Sequence, residues 1–173
     1  MKLKIGTRGS RLALAQTDMA VREIKKQFPE IYTSAVKISM RGDKIANAPL
    51  SRIGGKGVFV SEIERALLDG EIDIAVHSAK DLPVELAEGT CIGAVLMRGN
   101  PHDALVTPKG AAINKDGRFV IGTGSQRRRI ALSEIYPHAV FSDIRGNIDT
   151  RLSKLLTGEY DGIILAAAGL ERL

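Results

Sequence analysis

Polar and apolar residues alternate from Lys2 to Thr7, with Leu3 and Ile5 on one face, which predicts a short strand. Thr7-Arg8-Gly9-Ser10 reads as a strand-to-helix turn with Ser10 as the N-cap. From Arg11 to Phe28 the period becomes helical: Leu12, Met19, Ala20, Ile24 and Phe28 form the core stripe, and Arg22, Lys25 and Lys26 the wet face. Tyr32 to Met40 is a second strand. Arg41 to Gly57 has no period and carries Gly42, Pro49, Gly54, Gly55 and Gly57; loops this long are functional or disordered. Its tail, Arg52-Ile53-Gly54-Gly55-Lys56-Gly57, puts cations on a flexible hinge, as a lid over an anionic ligand needs. The Walker spacing is missing, so a nucleotide phosphate loop is rejected.

Val58 to Leu68 is a helix with Phe59, Ile63, Ala66 and Leu67 inward, ending at Gly70. The run Ile72 to Val76, rich in β-branched residues, suits a strand buried on both faces. Thr90 to Leu96 gives another strand, in which Cys91 is a buried, inert thiol. The pattern so far is doubly wound α/β. Arg98 to Asp103 breaks it and is the candidate crossover. A second unit follows: strands at Ala104–Thr107, Phe119–Gly122, Ala139–Ser142 and Asp161–Leu165, with Pro108 to Gly117 a mobile surface excursion. Helices follow Ser125, Asn147 and Ala166. The expected domains are 1–98, a crossover at 99–103, and 104–173.

Composition narrows the function. With 173 residues, 44% of them hydrophobic, the chain can fill one large domain or two small ones. One cysteine excludes an internal disulfide framework. No signal peptide or membrane-spanning run is visible, so a cytoplasmic protein that does not enter a membrane is expected. The net charge of +5 fits a nucleic-acid binder or a protein whose small substrate carries several carboxylates. Trp is absent and aromatics are 4%, which weakens base stacking. The arginines are also scattered over strand ends rather than along one helix, which argues against nucleic acid.

The chemistry gathers where strands end. After Val76 the chain turns polar at once: His77, Ser78, Lys80 and Asp81, then Pro83. Alone, a Lys-Asp pair at a strand end is a solvated charge pair. Yet Arg8, Arg127 with Arg128, Arg145 and Arg151 also lie at or just past strand-to-helix junctions, which share one edge in a parallel sheet. Arginine forks suit carboxylates and phosphates. Cations in the first turn of the helix after Ser125 are unfavourable unless an anion answers them. Asp81 does not serve an anion; it answers a cationic or N–H group, or moves a proton. The inferred ligand is a polyanion with a cationic or proton-exchanging centre, bound in a cleft between the units. His102 has no partner at metal spacing and reads as a surface histidine; no metal site is expected.

These residues carry a resemblance. Thr7-Arg8-Gly9-Ser10 with Leu12-Ala13-Leu14 and Gln16, Arg41-Gly42-Asp43, Gly54-Gly55-Lys56-Gly57 with Phe59, and Ala75 to Pro83 come first. Gly122-Thr123-Gly124-Ser125 with Arg127-Arg128, Arg145-Gly146-Asn147 with Thr150-Arg151-Leu152, and Ala168-Gly169-Leu170 follow. In this order, over nearly the whole chain, they resemble the porphobilinogen deaminase (hydroxymethylbilane synthase) family of tetrapyrrole biosynthesis. The resemblance implies two doubly wound α/β domains of the periplasmic-binding-protein-like type around a cleft. It implies a transferase that joins four porphobilinogens head to tail with loss of ammonia.

By that resemblance Asp81 would be catalytic, meeting pyrrole N–H groups, assisting departure of the amine and stabilising the cationic methylene-pyrrole. Arg8, Ser10, Lys80, Thr123, Ser125, Arg127, Arg128, Arg145, Arg151 and Arg172 would hold acetate and propionate groups. Gln16 and Ser78 would line the cleft, and the loop with Lys56 and Phe59 would cover it. The cofactor would be a dipyrromethane, borne in the family by a cysteine of a C-terminal α+β domain that Cys91 does not match. Gly124 stands where a second serine is common. The chain thus reads as the first two domains of a monomeric enzyme, the first lacking its closing segment, with little or no turnover of its own. The rival reading is a non-catalytic anion- or solute-binding module with the same kind of cleft.

Overall fold

A computed structural model describes residues 2–39, 61–114 and 116–173. The chain divides into two compact units, Met1–Met97 with Leu173, and Arg98–Arg172. In the first, β1 (Lys2–Thr7) leads through Ser10 into α1 (Arg11–Gln27), and β2 (Tyr32–Lys37), α2 (Ser61–Leu68) and β3 (Ile74–Ala75) follow. The sheet is parallel with order β2-β1-β3, so β1 is central. Ser10 caps α1 as expected, its hydroxyl accepting from Ala13 N–H at 3.3 Å. The core joins Ile63 and Ala66 of α2 to Ile72, with Val36, Ile38, Leu67 and Ala75 packed against them.

The second unit holds β4 (Asp103–Val106), β5 (Phe119–Gly122), α3 (Gln126–Ile135), β6 (Ala139–Ser142), α4 (Ile148–Leu156), β7 (Gly162–Ala166) and α5 (Ala167–Glu171). Its sheet order is β4-β7-β5-β6, parallel except for the antiparallel edge β4. Two clusters fill its faces, Ile144, Leu155, Tyr160, Ile163 and Leu165 on one, and Phe119, Ile121 and Ile164 on the other. Among the described residues no helix is long and apolar enough to cross a membrane.

The units share a local plan that the hydrophobic pattern alone did not reveal. Ile5-Gly6-Thr7 ends β1 and Ile121-Gly122-Thr123 ends β5, with both threonines buried. Leu67-Leu68-Asp69-Gly70-Glu71-Ile72-Asp73 leads into β3, and Leu155-Leu156-Thr157-Gly158-Glu159-Tyr160-Asp161 leads into β7. Gly70 and Gly158 take φ of 70° and 80°, the left-handed conformation that stops a helix at little steric cost. Asp73 then clamps β1: its carboxylate accepts from Lys4 N–H at 2.7 Å while its own N–H donates to Lys4 O at 2.9 Å. Asp161 does the same to Val120, at 2.7 and 3.0 Å.

Several expectations are corrected. Phe28 is the C-cap of α1 and is exposed rather than core; a 17-residue helix, roughly 26 Å long, overhangs a six-residue strand of about 20 Å. Thr17 is the residue α1 buries fully. The strand at Ile72–Val76 is reduced to Ile74–Ala75 and is only half buried, because β3 is the sheet edge and pairs on one side alone. No strand forms at Thr90–Leu96, and Cys91 is exposed. Without a ladder that segment has no face to bury, so Ile92, Val95 and Met97 stand in solvent. Lys56 and Phe59 lie outside the described residues, as do the rest of the Arg41–Gly57 loop and the start of the helix expected from Val58.

Candidate functional site

In the first unit the candidate side chains cluster past the carboxyl ends of β1 and β3. Val76 N–H donates to Gly6 O at 3.1 Å, carrying the β3 backbone one residue beyond its ladder. His77 and Ser78 follow, and a single 3₁₀ turn over Ala79–Asp81 closes with Asp81 N–H donating to Ser78 O at 2.9 Å. Ser78 Oγ accepts from Gln16 Nε2 of α1 at 2.7 Å, so two residues expected to line a cleft are in direct contact. Lys80 and Asp81 are exposed, and neither side chain has a hydrogen-bond or ion-pair partner among the described residues. A carboxylate beside a lysine that does not neutralise it is free to answer a ligand. Arg8, at the mouth of the β1–α1 turn, lies within electrostatic reach of His77, as do Asp81 and Glu64. His77 is held below the ordinary histidine range, first by burial, with Asp81 opposing, Arg8 adding to it and Glu64 opposing.

In the second unit the same strand ends carry the arginines. Thr123, buried at the end of β5, takes Ser125 N–H on its hydroxyl at 3.2 Å, and its own N–H bonds Ser142 O at 2.8 Å. Ser125 caps α3, accepting from Arg128 N–H at 3.4 Å. The three arginines after it then part company. Arg128 forks onto the Asp103 carboxylate, with Nε at 2.9 Å, and also reaches Ile164 O at 3.4 Å. Arg129 bonds Thr123 O at 3.0 Å and pairs with Asp143. Arg127 is exposed and has no partner among the described residues. The anion that cations at this helix start need is therefore supplied for two of them by the protein's own carboxylates.

Asn147 caps α4, its Oδ1 accepting from Thr150 N–H at 2.9 Å, and Arg151 Nε bonds Gly146 O at 2.8 Å. The Arg151 guanidinium has its pKa lowered, chiefly by burial and then by Arg128. Arg145 is half buried in the turn before it. Arg172, just past α5, lies over the crossover: a Cβ on Gly99 would sit 2.9 Å from its Nη2. The crossover is tied to α5 by Asn100 Nδ2 to Glu171 Oε1 at 2.8 Å and Ala167 N–H to His102 O at 3.0 Å. His102 is exposed, its Nδ1 against Asn100 Oδ1.

Sequence reasoning missed Asp103 and Asp143, the carboxylates that occupy Arg128 and Arg129, and the clamps at Asp73 and Asp161. Each is an ordinary acidic residue until the fold brings its partner close; only the repeated Gly-Glu-x-Asp spacing was a usable signal. A cavity of about 400 Å³ opens at the opposite ends of the second unit's strands, lined by Ile113, Phe119, Leu155 and Tyr160 among others. It contains none of the predicted binding residues. No cluster of three or more His, Cys, Asp or Glu suited to a metal occurs among the described residues.

Comparison with known proteins gives these clusters a context. Residues 3–173 match the family model described as porphobilinogen deaminase, dipyromethane cofactor binding domain. The chain is 47% identical to the porphobilinogen deaminase of Nostoc sp., covering 99% of this chain and 54% of the relative. It is also 47% identical to that of Acetivibrio thermocellus, covering 100% and 59%, so it spans little more than half the length of these relatives. Among solved structures, an ancestral cationic amino acid solute binding protein aligns at 13% identity and TM-score 0.46, over 95% of this chain and 69% of that one. The chain belongs to the porphobilinogen deaminase family.

Proposed function

We propose that this chain carries substrate- and cofactor-contacting parts of a hydroxymethylbilane synthase, which condenses four porphobilinogen molecules head to tail with release of ammonia. The observation that carries the reading is the Asp81 carboxylate, exposed and unpaired beside Lys80, set on two hydrogen-bonded anchors at the strand ends. Porphobilinogen has the matching chemistry: two carboxylates, a pyrrole N–H and an aminomethyl group. Asp81 accepts from the pyrrole N–H and from the departing amine. As the carbon–nitrogen bond breaks, its electron pair leaves with the nitrogen as ammonia, and the carboxylate stabilises the positive charge left on the methylene-pyrrole. A new carbon–carbon bond to the growing chain then forms with loss of a ring proton.

The carboxylate-binding roles follow from how each side chain is engaged. Arg127 and Lys80 bind acetate and propionate directly, since no protein carboxylate answers them among the described residues. Arg151 is the half-buried partner of such a group, with Arg8, Arg145, Ser10, Ser125 and Arg172 as further donors. Arg128 reaches a ligand only by exchanging Asp103, and Thr123 serves through the Ser125 turn it holds. A dipyrromethane fits this donor set, because the carboxylates that group bears suit the Arg127 guanidinium, which no described carboxylate engages. When bound, it supplies the first pyrroles of the growing chain. Cys91 is not assigned as its anchor. The protein is further proposed to act in the cytoplasm as a monomer, without nucleic acid or membrane as partner.

The test is incubation with porphobilinogen, reading released ammonia and the intact mass of the chain. Ammonia release, or a pyrrole adduct lost in Asp81→Asn, supports the enzyme. Reversible binding with neither signal would favour the non-catalytic binding module.

A further inference from the structure

We propose that His77 is a positioning residue for Asp81, its half-buried ring fixed at the root of the Ala79–Asp81 turn so that the carboxylate meets a cationic or N–H-bearing ligand with its charge uncompensated. The proposal rests on the function above, because the ligand served is the one proposed there.

The placement of the ring supports it. Before His77, Val76 N–H is bonded to Gly6 O at 3.1 Å; after it, Ser78 is held by Gln16 Nε2 at 2.7 Å and by Asp81 N–H at 2.9 Å. The backbone on both sides is therefore pinned, to β1 and to α1. His77 Nε2 is buried and finds no hydrogen-bond partner among the described residues, and the same holds for Glu64 Oε1 of α2. Buried polar atoms left without partners are uncommon and call for an explanation.

Three charged groups act on this ring electrostatically, each from a different element: Asp81 from the turn, Arg8 from the β1–α1 connection and Glu64 from α2. Burial outweighs the two carboxylates, Arg8 adds to it, and the imidazole stays uncharged at neutral pH. That state matters for Asp81. An imidazolium beside the carboxylate would compete with a ligand ammonium or pyrrole N–H, whereas a neutral ring leaves the charge to the ligand. Linkage makes the effect reciprocal: a cation bound at Asp81 disfavours protonation of His77.

The experiment follows the three imidazoles of the chain by NMR between about pH 8 and pH 5. The His77 signal is identified by its loss in His77→Gln, and the other two serve as internal controls. The expected result is a His77 midpoint below the ordinary histidine range. Asp81→Asn, a change at an exposed side chain, moves that midpoint further down and leaves the control signals in place. A His77 midpoint at or above the ordinary range, or one unmoved by Asp81→Asn, overturns the proposal. Porphobilinogen added to the unaltered chain also lowers the midpoint. If the Asp81→Asn shift is present and porphobilinogen produces none, the coupling of His77 to Asp81 stands and the proposed substrate falls.

Discussion

Gln16 Nε2 donates to Ser78 Oγ at 2.7 Å, across 62 positions of sequence. Ser78 O is in turn the acceptor that closes the turn carrying Asp81, so one amide on α1 sets where the Asp81 carboxylate stands. A part-buried side-chain hydrogen bond contributes about 1 kcal/mol net. Gln16→Ala and Ser78→Ala are each expected to lower unfolding stability by about that amount. Together they cost less than the sum, with a coupling energy of about 1 kcal/mol in a double-mutant cycle by urea unfolding. Additive losses would mean that the bond is absent in solution.

The Asp73 and Asp161 clamps act on separate units and are expected to behave alike. Asp73→Ala and Asp161→Ala each remove a carboxylate–amide bond of 2.7 Å. Bonds to charged groups are worth about 1.5–3 kcal/mol, and the exposure of both sites puts the expected loss at about 1.5 kcal/mol, the low end of that range. Asparagine at either position retains an acceptor and recovers part of it. Amide hydrogen exchange at Lys4 and Val120 gives the local readout.

Gly6→Ala places a Cβ 2.2 Å from Ile72 Cδ1 in a core with no space, and Gly122→Ala one 2.8 Å from Tyr160 Cδ1. Overpacking of this kind costs about 1–3 kcal/mol. Adding Ile72→Val, which deletes the clashing methyl, is expected to make Gly6→Ala less harmful than it is alone. Thermal unfolding of Gly6→Ala, Ile72→Val, their combination and Gly122→Ala decides this.

Arg127 and Arg128 are neighbours in sequence with opposite expected signatures. Arg127→Ala removes a side chain that no described residue engages, so its stability stays within about 0.5 kcal/mol. Its affinity for porphobilinogen falls about tenfold, the effect of losing about 1.4 kcal/mol. Arg128→Ala leaves Asp103 without its fork and lowers stability measurably. Calorimetric titration paired with urea unfolding separates the two.

Stability should also fall with acid in a way traceable to His77. Its folded pKa is lowered, so the unfolded chain binds more protons as pH drops below about 6.5. The contribution is fully present above the ordinary histidine value and is lost as pH falls toward the folded one. His77→Gln is expected to flatten the slope of unfolding free energy against pH in this window. A slope unchanged in that variant would show that other groups cause it.

Much of this protein follows from local chemistry. Period-two and helical patterns placed β1, α1, β5 and β7, and Ser10, Ser125 and Asn147 cap helices because a short polar side chain before an apolar period has few other roles. The motif order identified the family, and the clustering of arginine at strand ends required no coordinates. What the sequence could not determine depended on partners distant in the chain. An apolar stretch becomes a strand only if an edge receives it, so Thr90–Leu96 and Cys91 lie exposed while β3 shrinks to two residues. An arginine in a basic run is bound or available according to which carboxylate folds beside it. Arg128 and Arg129 meet Asp103 and Asp143, whereas Arg127 meets none among the described residues. Secondary structure and helix caps are set by neighbours a few residues away, which the sequence displays; burial and charge pairing are set in three dimensions, which only the tertiary structure decides.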